Sequence, residues 1–228
     1  SKDWDLKKVR GSVRRVLKDR GLEKMCDMEN PVNTDYDLAD RFYQAGFELA
    51  LELGLWVEDT ERIIQVSQEE LENGIKFAPS ELFIGKGEDG TLIKARTPAD
   101  PYTCKMVSSL GITVSEDIFL KVVGGIVAEP EVDLLEACSL TTVRGHEVLA
   151  GTPWETLMGY THGQLHGEAR RIGGRPGMGG IGSISAVTDY GQFGAYGTPG
   201  GIDPETDIAL ILFPSEMKID YRTLNKVV

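Results

Sequence analysis

Four groups of residues have types and spacings that could do chemistry. Tyr190, Phe193 and Tyr196 stand three apart with Asp189 beside them. Aromatic faces with a carboxylate make a box for a quaternary cation in a dry cavity, although the same spacing suits core packing or a stiffened loop. Arg144 closes an apolar, strand-compatible run. There a guanidinium either faces a cavity and grips a substrate carboxylate by paired hydrogen bonds, or pairs with an acid of the protein. His162 and His166 stand four apart and share one face of a predicted helix, but no HExxH and no nearby cysteine completes a metal site.

The fourth group is Gly173-Gly174-Arg175-Pro176-Gly177-Met178-Gly179-Gly180-Ile181-Gly182, with six glycines in ten residues. Such a run belongs where backbone turns sharply or approaches something closely. It reads either as a tight connection beside a core strand or as a wall of a functional cavity. In the second reading Gly180, Ile181 and Gly182, with Arg144 and Tyr190, are the substrate-cavity candidates. Arg175, Pro176, Gly177, Met178 and Gly179 then shape the loop, Arg175 through hydrogen bonds to carbonyls. A third reading makes the run an anion cradle, but neither GxxxxGK[ST] nor a strand followed by GxGxxG is present.

The elements that must position these residues fall into two parts. Leu6, Val9, Val13, Val16 and Leu17 form an apolar stripe beside Arg10, Arg14, Arg15, Lys18 and Arg20, with Gly21 as a stop. That basic cluster is a solvated face or a subunit contact. A second helix is expected from near Asp35 to Gly54, and a third from the capping box Ser67/Glu70 to about Phe77. Leu82–Ile84 and Thr91–Lys94 flank an acidic, glycine-containing turn and predict a hairpin. From about Tyr102 strands alternate with helices: a strand or loop over Met106–Ile112, a helix from Ser115 to Ala128, and a strand over Val132–Leu140. A helix from Thr152-Pro153 to Ile172 and strands at Ile184–Val187 and Ile208–Phe213 follow. This alternation predicts a parallel α/β fold. Residues 1–100 are expected to form a helical extension with the hairpin, and residues 101–228 three or four β/α units. A complete (β/α)8 barrel takes roughly 250 residues, so the chain reads as part of something larger.

At 228 residues, 41% hydrophobic and 26% charged, the composition is that of a globular chain. A net charge of −12 argues against nucleic acid as a partner, because phosphate binding needs a basic face. No apolar run reaches the roughly 18 residues of a membrane span. Cys26, Cys104 and Cys138 form no CxxC pair, so neither a disulfide framework nor a metal is expected, and a cytoplasmic location is the default.

Gly174-Arg175-Pro176-Gly177-Met178-Gly179, followed by Ile181-Gly182, resembles the motif around the pyrrolysine of monomethylamine:corrinoid methyltransferases. Gln44–Glu48, Asp59–Ile63, Ser115–Phe119, Glu131–Asp133, Val143–Gly145 and Glu216–Asp220 resemble further segments of that family in the same order. The resemblance implies the first half of a TIM barrel with an N-terminal extension. It also implies an oligomer that moves a methyl group from a small methylated amine to a corrinoid carried by a partner protein, with no cofactor bound directly. In the family pyrrolysine captures the amine. Ile181 stands at the matched position and has no electrophile, so the resemblance implies an already activated donor, such as a quaternary ammonium compound. The alternative is a TIM-like protein that binds a small molecule or partner without catalysis.

Overall fold

The computed structural model describes residues 2–102, 104–108, 112–136, 138–181, 191, 194, 203, 205–208 and 217–220. In chain order, a π-helical segment Trp4–Val9 leads into α1 (Arg10–Asp19) and α2 (Tyr36–Leu53), then β1 (Leu55–Val57), β2 (Arg62–Ile64) and α3 (Gln68–Phe77). The hairpin β3 (Glu81–Ile84) and β4 (Thr91–Lys94) precedes β5 (Val107–Ser108), β6 (Thr113–Val114) and α4 (Glu116–Ala128). Next come β7 (Leu134–Leu135), β8 (Ser139–Leu140), β9 (Thr142–Val143), β10 (His146–Glu147) and α5 (Pro153–Ile172). Last are β11 (Gly180–Ile181), β12 (Asp207–Ile208) and β13 (Lys218–Ile219).

Two units result. The first comprises Ser1–Pro79, Arg96–Pro101 and Ile211–Val228; the second comprises Ser80–Ala95 and Tyr102–Leu210. The hairpin therefore clusters with the β/α units and not with the N-terminal helices beside which sequence order set it.

In the first unit the apolar stripe of α1 meets α2 through Val16, Leu22 and Ala45, with Leu17, Leu38 and Leu49 around them. Asp35 caps α2 by accepting from Leu38 N at 3.1 Å, and Gly54 ends it at φ 64. The capping box at α3 is formed in full: Ser67 Oγ accepts from Glu70 N, and the Glu70 carboxylate accepts from Ser67 N. A sheet ordered β13-β1-β2 completes this unit, with β1 parallel to β13 and antiparallel to β2. Trp56 of β1 packs 5.8 Å from Trp4, centroid to centroid.

In the second unit four strands run parallel in the order β12-β11-β7-β5, each beside the strand that precedes it within this sheet. The sheet is open among the described residues. Alternation along each strand sends its two residues to opposite faces. Leu135 belongs to the core shared with α4 and α5, alongside Phe119, Val123, Val127, Met158 and Ala169. Leu134 and Ile181 belong to a second layer with Ile84 of the hairpin, flanked by Val107, Ile208 and Ile93. The pair β6–β8 is also parallel, with Thr113 beside Ser139 and Val114 beside Leu140.

Candidate functional site

The glycine run is a seam between backbones. α5 ends at Gly173, and Gly174 takes φ +79, a conformation glycine adopts without a Cβ penalty. Arg175 then donates from its guanidinium to Val132 O, fixing the loop through a carbonyl. Beyond it the chain lies directly on the β3–β4 turn. Lys86 N donates to Gly177 O at 2.7 Å, Gly177 N donates to Asp89 Oδ2 at 2.9 Å, and Met178 bridges to Gly85. A Cβ on Gly85, where φ is +95, would stand 2.6 Å from Gly177 O and 2.7 Å from Gly179 N. Only glycine lets these strands of backbone touch. Gly85 N also donates to Thr206 O, and Leu135 N to Gly179 O. Thr206 and Gly179 each precede a strand by one residue, so the hairpin crosses the N-terminal edge of the parallel sheet.

The anion-cradle reading is overturned by the same bonds. Three N–H groups at the centre of the run are already taken: Gly177 by Asp89, Gly180 by Asp207 Oδ1 at 2.8 Å, and Met178 by Arg175 O at 3.1 Å.

On the helix side of the sheet, one face of α5 presents Met158, His162, His166 and Arg170, four apart and all buried. His162 donates from Nε2 to Cys138 O at 2.8 Å and meets Phe119 edge-on. Burial pushes its pKa below the usual histidine value, and the hydrogen bond pulls only partly the other way. His166 packs against His162 with ring centroids 4.6 Å apart, and its Nε2 has no partner among the described residues. Burial first, then the neighbouring His162 and Arg170, push it well below that value. Both imidazoles are thus held neutral as packing groups. No group of three His, Cys, Asp or Glu side chains among the described residues could hold a metal ion.

Arg170 spans the start of two strands. Its Nη2 donates to Asp207 Oδ1 at 2.7 Å and its Nη1 to Oδ2 at 3.2 Å, with side-chain exposures of 6% and 1%. Asp207 accepts additionally from Gly180 N and from Asp203 N at 2.9 Å. A Cβ on Gly180 would collide with Arg170 Nη2 and lie 3.0 Å from Asp207 Oδ1. Gly180 is therefore glycine so that the guanidinium can reach across β11 to β12. Asp203 in turn binds Lys86 of the hairpin turn at 2.9 Å; its pKa is lowered by the Glu205 N–H first and then by Lys86. Asp89, Asp203 and Asp207 escape sequence reasoning because their partners lie up to 117 positions away.

The structure thus relocates several sequence-based expectations. Gly180 sits against the Arg170–Asp207 pair and shapes that ion pair. Ile181, 8% exposed, packs in an aliphatic layer with Ile84 and Leu134. Arg144 follows β9 directly. It forms, with Gly145, the two-residue turn of the β9–β10 hairpin, pairing Val143 with His146, and it is exposed. Its φ of 49 with 76 at Gly145 is the positive-φ pair of a type I′ turn. Gly182, Asp189, Tyr190, Phe193 and Tyr196 lie outside the described residues, as does the strand expected at 184–187. Arg175, Gly177, Met178 and Gly179 shape the loop through the contacts above, and exposed Pro176 lies in the same turn.

A parallel sheet with its strands in chain order, helices on one face and an aliphatic layer on the other defines an α/β protein of the β/α-repeat class. The chain belongs to the monomethylamine methyltransferase MtmB family, whose model matches residues 1–228. It is 32% identical over 178 residues to monomethylamine methyltransferase MtmB of Methanosarcina mazei, covering 78% of this chain and 38% of that protein. It is also 32% identical to MtmB1 of Methanosarcina acetivorans over 78% of this chain and 38% of the relative. A crystal structure of the hydroxylamine MtmB complex superposes with a TM-score of 0.90 at 29% identity, over 99% of this chain and 49% of that one. That of the Methanosarcina barkeri monomethylamine methyltransferase gives 0.87 at 28%. The chain thus spans less than half the length of the curated relatives it matches. Among the described residues no helix is long and apolar enough to cross a membrane.

Proposed function

We propose that this chain is the N-terminal half of a (β/α)8-barrel methyltransferase that moves a methyl group from a small methylated amine to a corrinoid held by a separate carrier protein. The observation that carries this reading is the family match across residues 1–228, joined to a TM-score of 0.90 against the MtmB structure. Four strands in chain order over 49% of a solved relative are what half of an eight-stranded barrel requires. In such a barrel the layer Val107, Leu134, Ile181 and Ile208 is the lowest tier of the interior, and the β3–β4 hairpin plugs the bottom. Chemistry then belongs at the opposite, C-terminal ends of the strands. Asp189 and Tyr190, which follow β11 in the sequence, are candidates there for holding a methylated cation.

Ile181, at the position the resemblance pairs with pyrrolysine, offers no electrophile and faces Ile84. A donor whose nitrogen is already quaternary needs no capture, because a neutral amine leaves as the methyl group departs. The carrier's reduced corrinoid supplies the nucleophile; the protein's part is to bind the donor, orient its methyl group and exclude water.

The test is methyl transfer by the full-length protein to the reduced carrier with mono-, di- and trimethylamine and a set of quaternary ammonium compounds, followed by corrinoid absorbance. Transfer from a quaternary donor and none from monomethylamine is expected. Transfer from monomethylamine alone would overturn the choice of donor. A folded preparation inactive with every donor would overturn the methyltransferase reading.

A further inference from the structure

We propose that Arg144, at the tip of the β9–β10 hairpin, docks the protein that accepts the methyl group by binding a carboxylate on that partner's surface. The inference rests on the function proposed above and adds the residue that recognises the partner.

The residue is in the wrong conformation for its type. Two-residue turns with positive φ at both positions favour Asn-Gly, because a Cβ in the left-handed region crowds the backbone. Here the first position is arginine at φ 49. Strain kept at an exposed position points to a use for that side chain. Its immediate support is firm: Val143 beneath it is fully buried, Glu147 pairs with Thr142, and His146 stacks on Trp154 with centroids 4.0 Å apart and 19° between planes. The guanidinium itself has no hydrogen-bond or ion-pair partner among the described residues. The tip is thus a rigid mount carrying a free cation.

Its position and shape narrow the partner. The hairpin leaves the C-terminal end of β8, which runs parallel to β6, and in α/β proteins ligands are engaged at that end of the strands. A hairpin tip is convex, whereas small-molecule sites are concave, so the occupant is a surface and not a metabolite. The connection behind the tip carries Leu149, 53% exposed, and the half-buried Trp154. Arginine and tryptophan are two of the residue types enriched at protein-interface hot spots. The chain carries a net charge of −12, so an acidic partner is repelled by most of its surface and attracted at an unpaired cation. That contrast sets the docking register.

The experiment measures carrier-protein binding to the full-length protein by calorimetry at two salt concentrations, for wild type, Arg144→Asn and Arg144→Glu. Asparagine suits the turn, so Arg144→Asn should melt at the wild-type temperature or above. It should nevertheless bind the carrier roughly tenfold more weakly and with a shallower salt dependence, and Arg144→Glu should bind more weakly still. Wild-type binding that both variants retain in full would overturn the docking role and leave the methyltransferase reading intact. A wild type that neither binds the carrier nor transfers a methyl group to it would overturn both.

Discussion

Replacing Asp207 by asparagine tests whether the buried pair beneath the glycine run holds the second unit together. The substitution keeps the shape and removes the charge. Arg170, 6% exposed, would then face an amide that can accept from it but can no longer neutralise it. Its Nε has no partner among the described residues and offers no alternative anchor. Gly180 N and Asp203 N would compete for the one remaining oxygen, leaving at least one buried donor facing an NH2 group. Breaking a buried pair while leaving one charge behind costs about 3–5 kcal/mol. With a urea m-value of about 2 kcal/mol/M, the unfolding midpoint should fall by roughly 1.5–2.5 M. Helical circular dichroism through a urea titration reads this directly. The double variant Arg170→Met/Asp207→Asn removes the stranded charge and should recover part of the loss, a coupling that a double-mutant cycle isolates. A single-variant midpoint within about 0.3 M of wild type, well below that expected shift, would refute the claim that this pair is desolvated and structural. A double variant as unstable as the sum of the singles would refute the coupling.

Four other outcomes follow from the same geometry. Gly180→Ala should approach the effect of Asp207→Asn, because its methyl group occupies the space of Arg170 Nη2; matching urea midpoints would check it. Gly85→Ala should destabilise by more than about 2 kcal/mol, since φ is +95 and the Cβ meets backbone, whereas Gly174→Ala meets open space and should cost only about 1 kcal/mol; thermal melts rank the two. His162 and His166 both have lowered pKa values in the fold. Below the ordinary histidine value of 6.5 the unfolded chain therefore binds protons that the folded chain cannot, and stability falls with falling pH by up to about 1.4 kcal/mol per unit for each histidine; His166→Leu should flatten the slope in urea titrations between pH 5 and 7. Ser67→Ala removes the acceptor for Glu70 N and should cost about 1 kcal/mol in the first unit, seen as reduced helicity on heating.

Elements whose signals are local were legible in the sequence. The capping box at Ser67, the cap at Asp35, the stop at Gly54 and proline at the first turn of α5 each satisfy a helix end with a neighbour a few residues away, so type and spacing suffice. The sheet β13-β1-β2 was missed because β1 and β2 are three residues each, and β13 pairs with β1 from 162 residues further along the chain. The β9–β10 hairpin was missed because its turn is Arg-Gly, without the asparagine or aspartate that normally marks such a turn. The glycine run was legible as a close approach, but what approaches it was not. Its partners are the turn at 84–90 and the carboxylates Asp89 and Asp207, and no sequence period links positions so far apart.

That distinction decides where chemistry can be sought. A glycine run beside family motifs reads as part of a reacting centre, yet the N–H groups of Gly177, Met178 and Gly180 are bound to the chain's own carboxyl and carbonyl groups. The gaps left by its missing side chains are filled by Ile84, Lys86, Arg170 and hairpin backbone. Unsatisfied groups lie elsewhere, among them the exposed Arg144 at the tip of the β9–β10 hairpin. In a parallel sheet the N-terminal edge can be sealed for stability because the C-terminal edge is where loops are free to vary. The Arg170–Asp207 clamp and the hairpin plug give this fold such a sealed edge, and substitutions there should register as lost stability before they register as lost recognition.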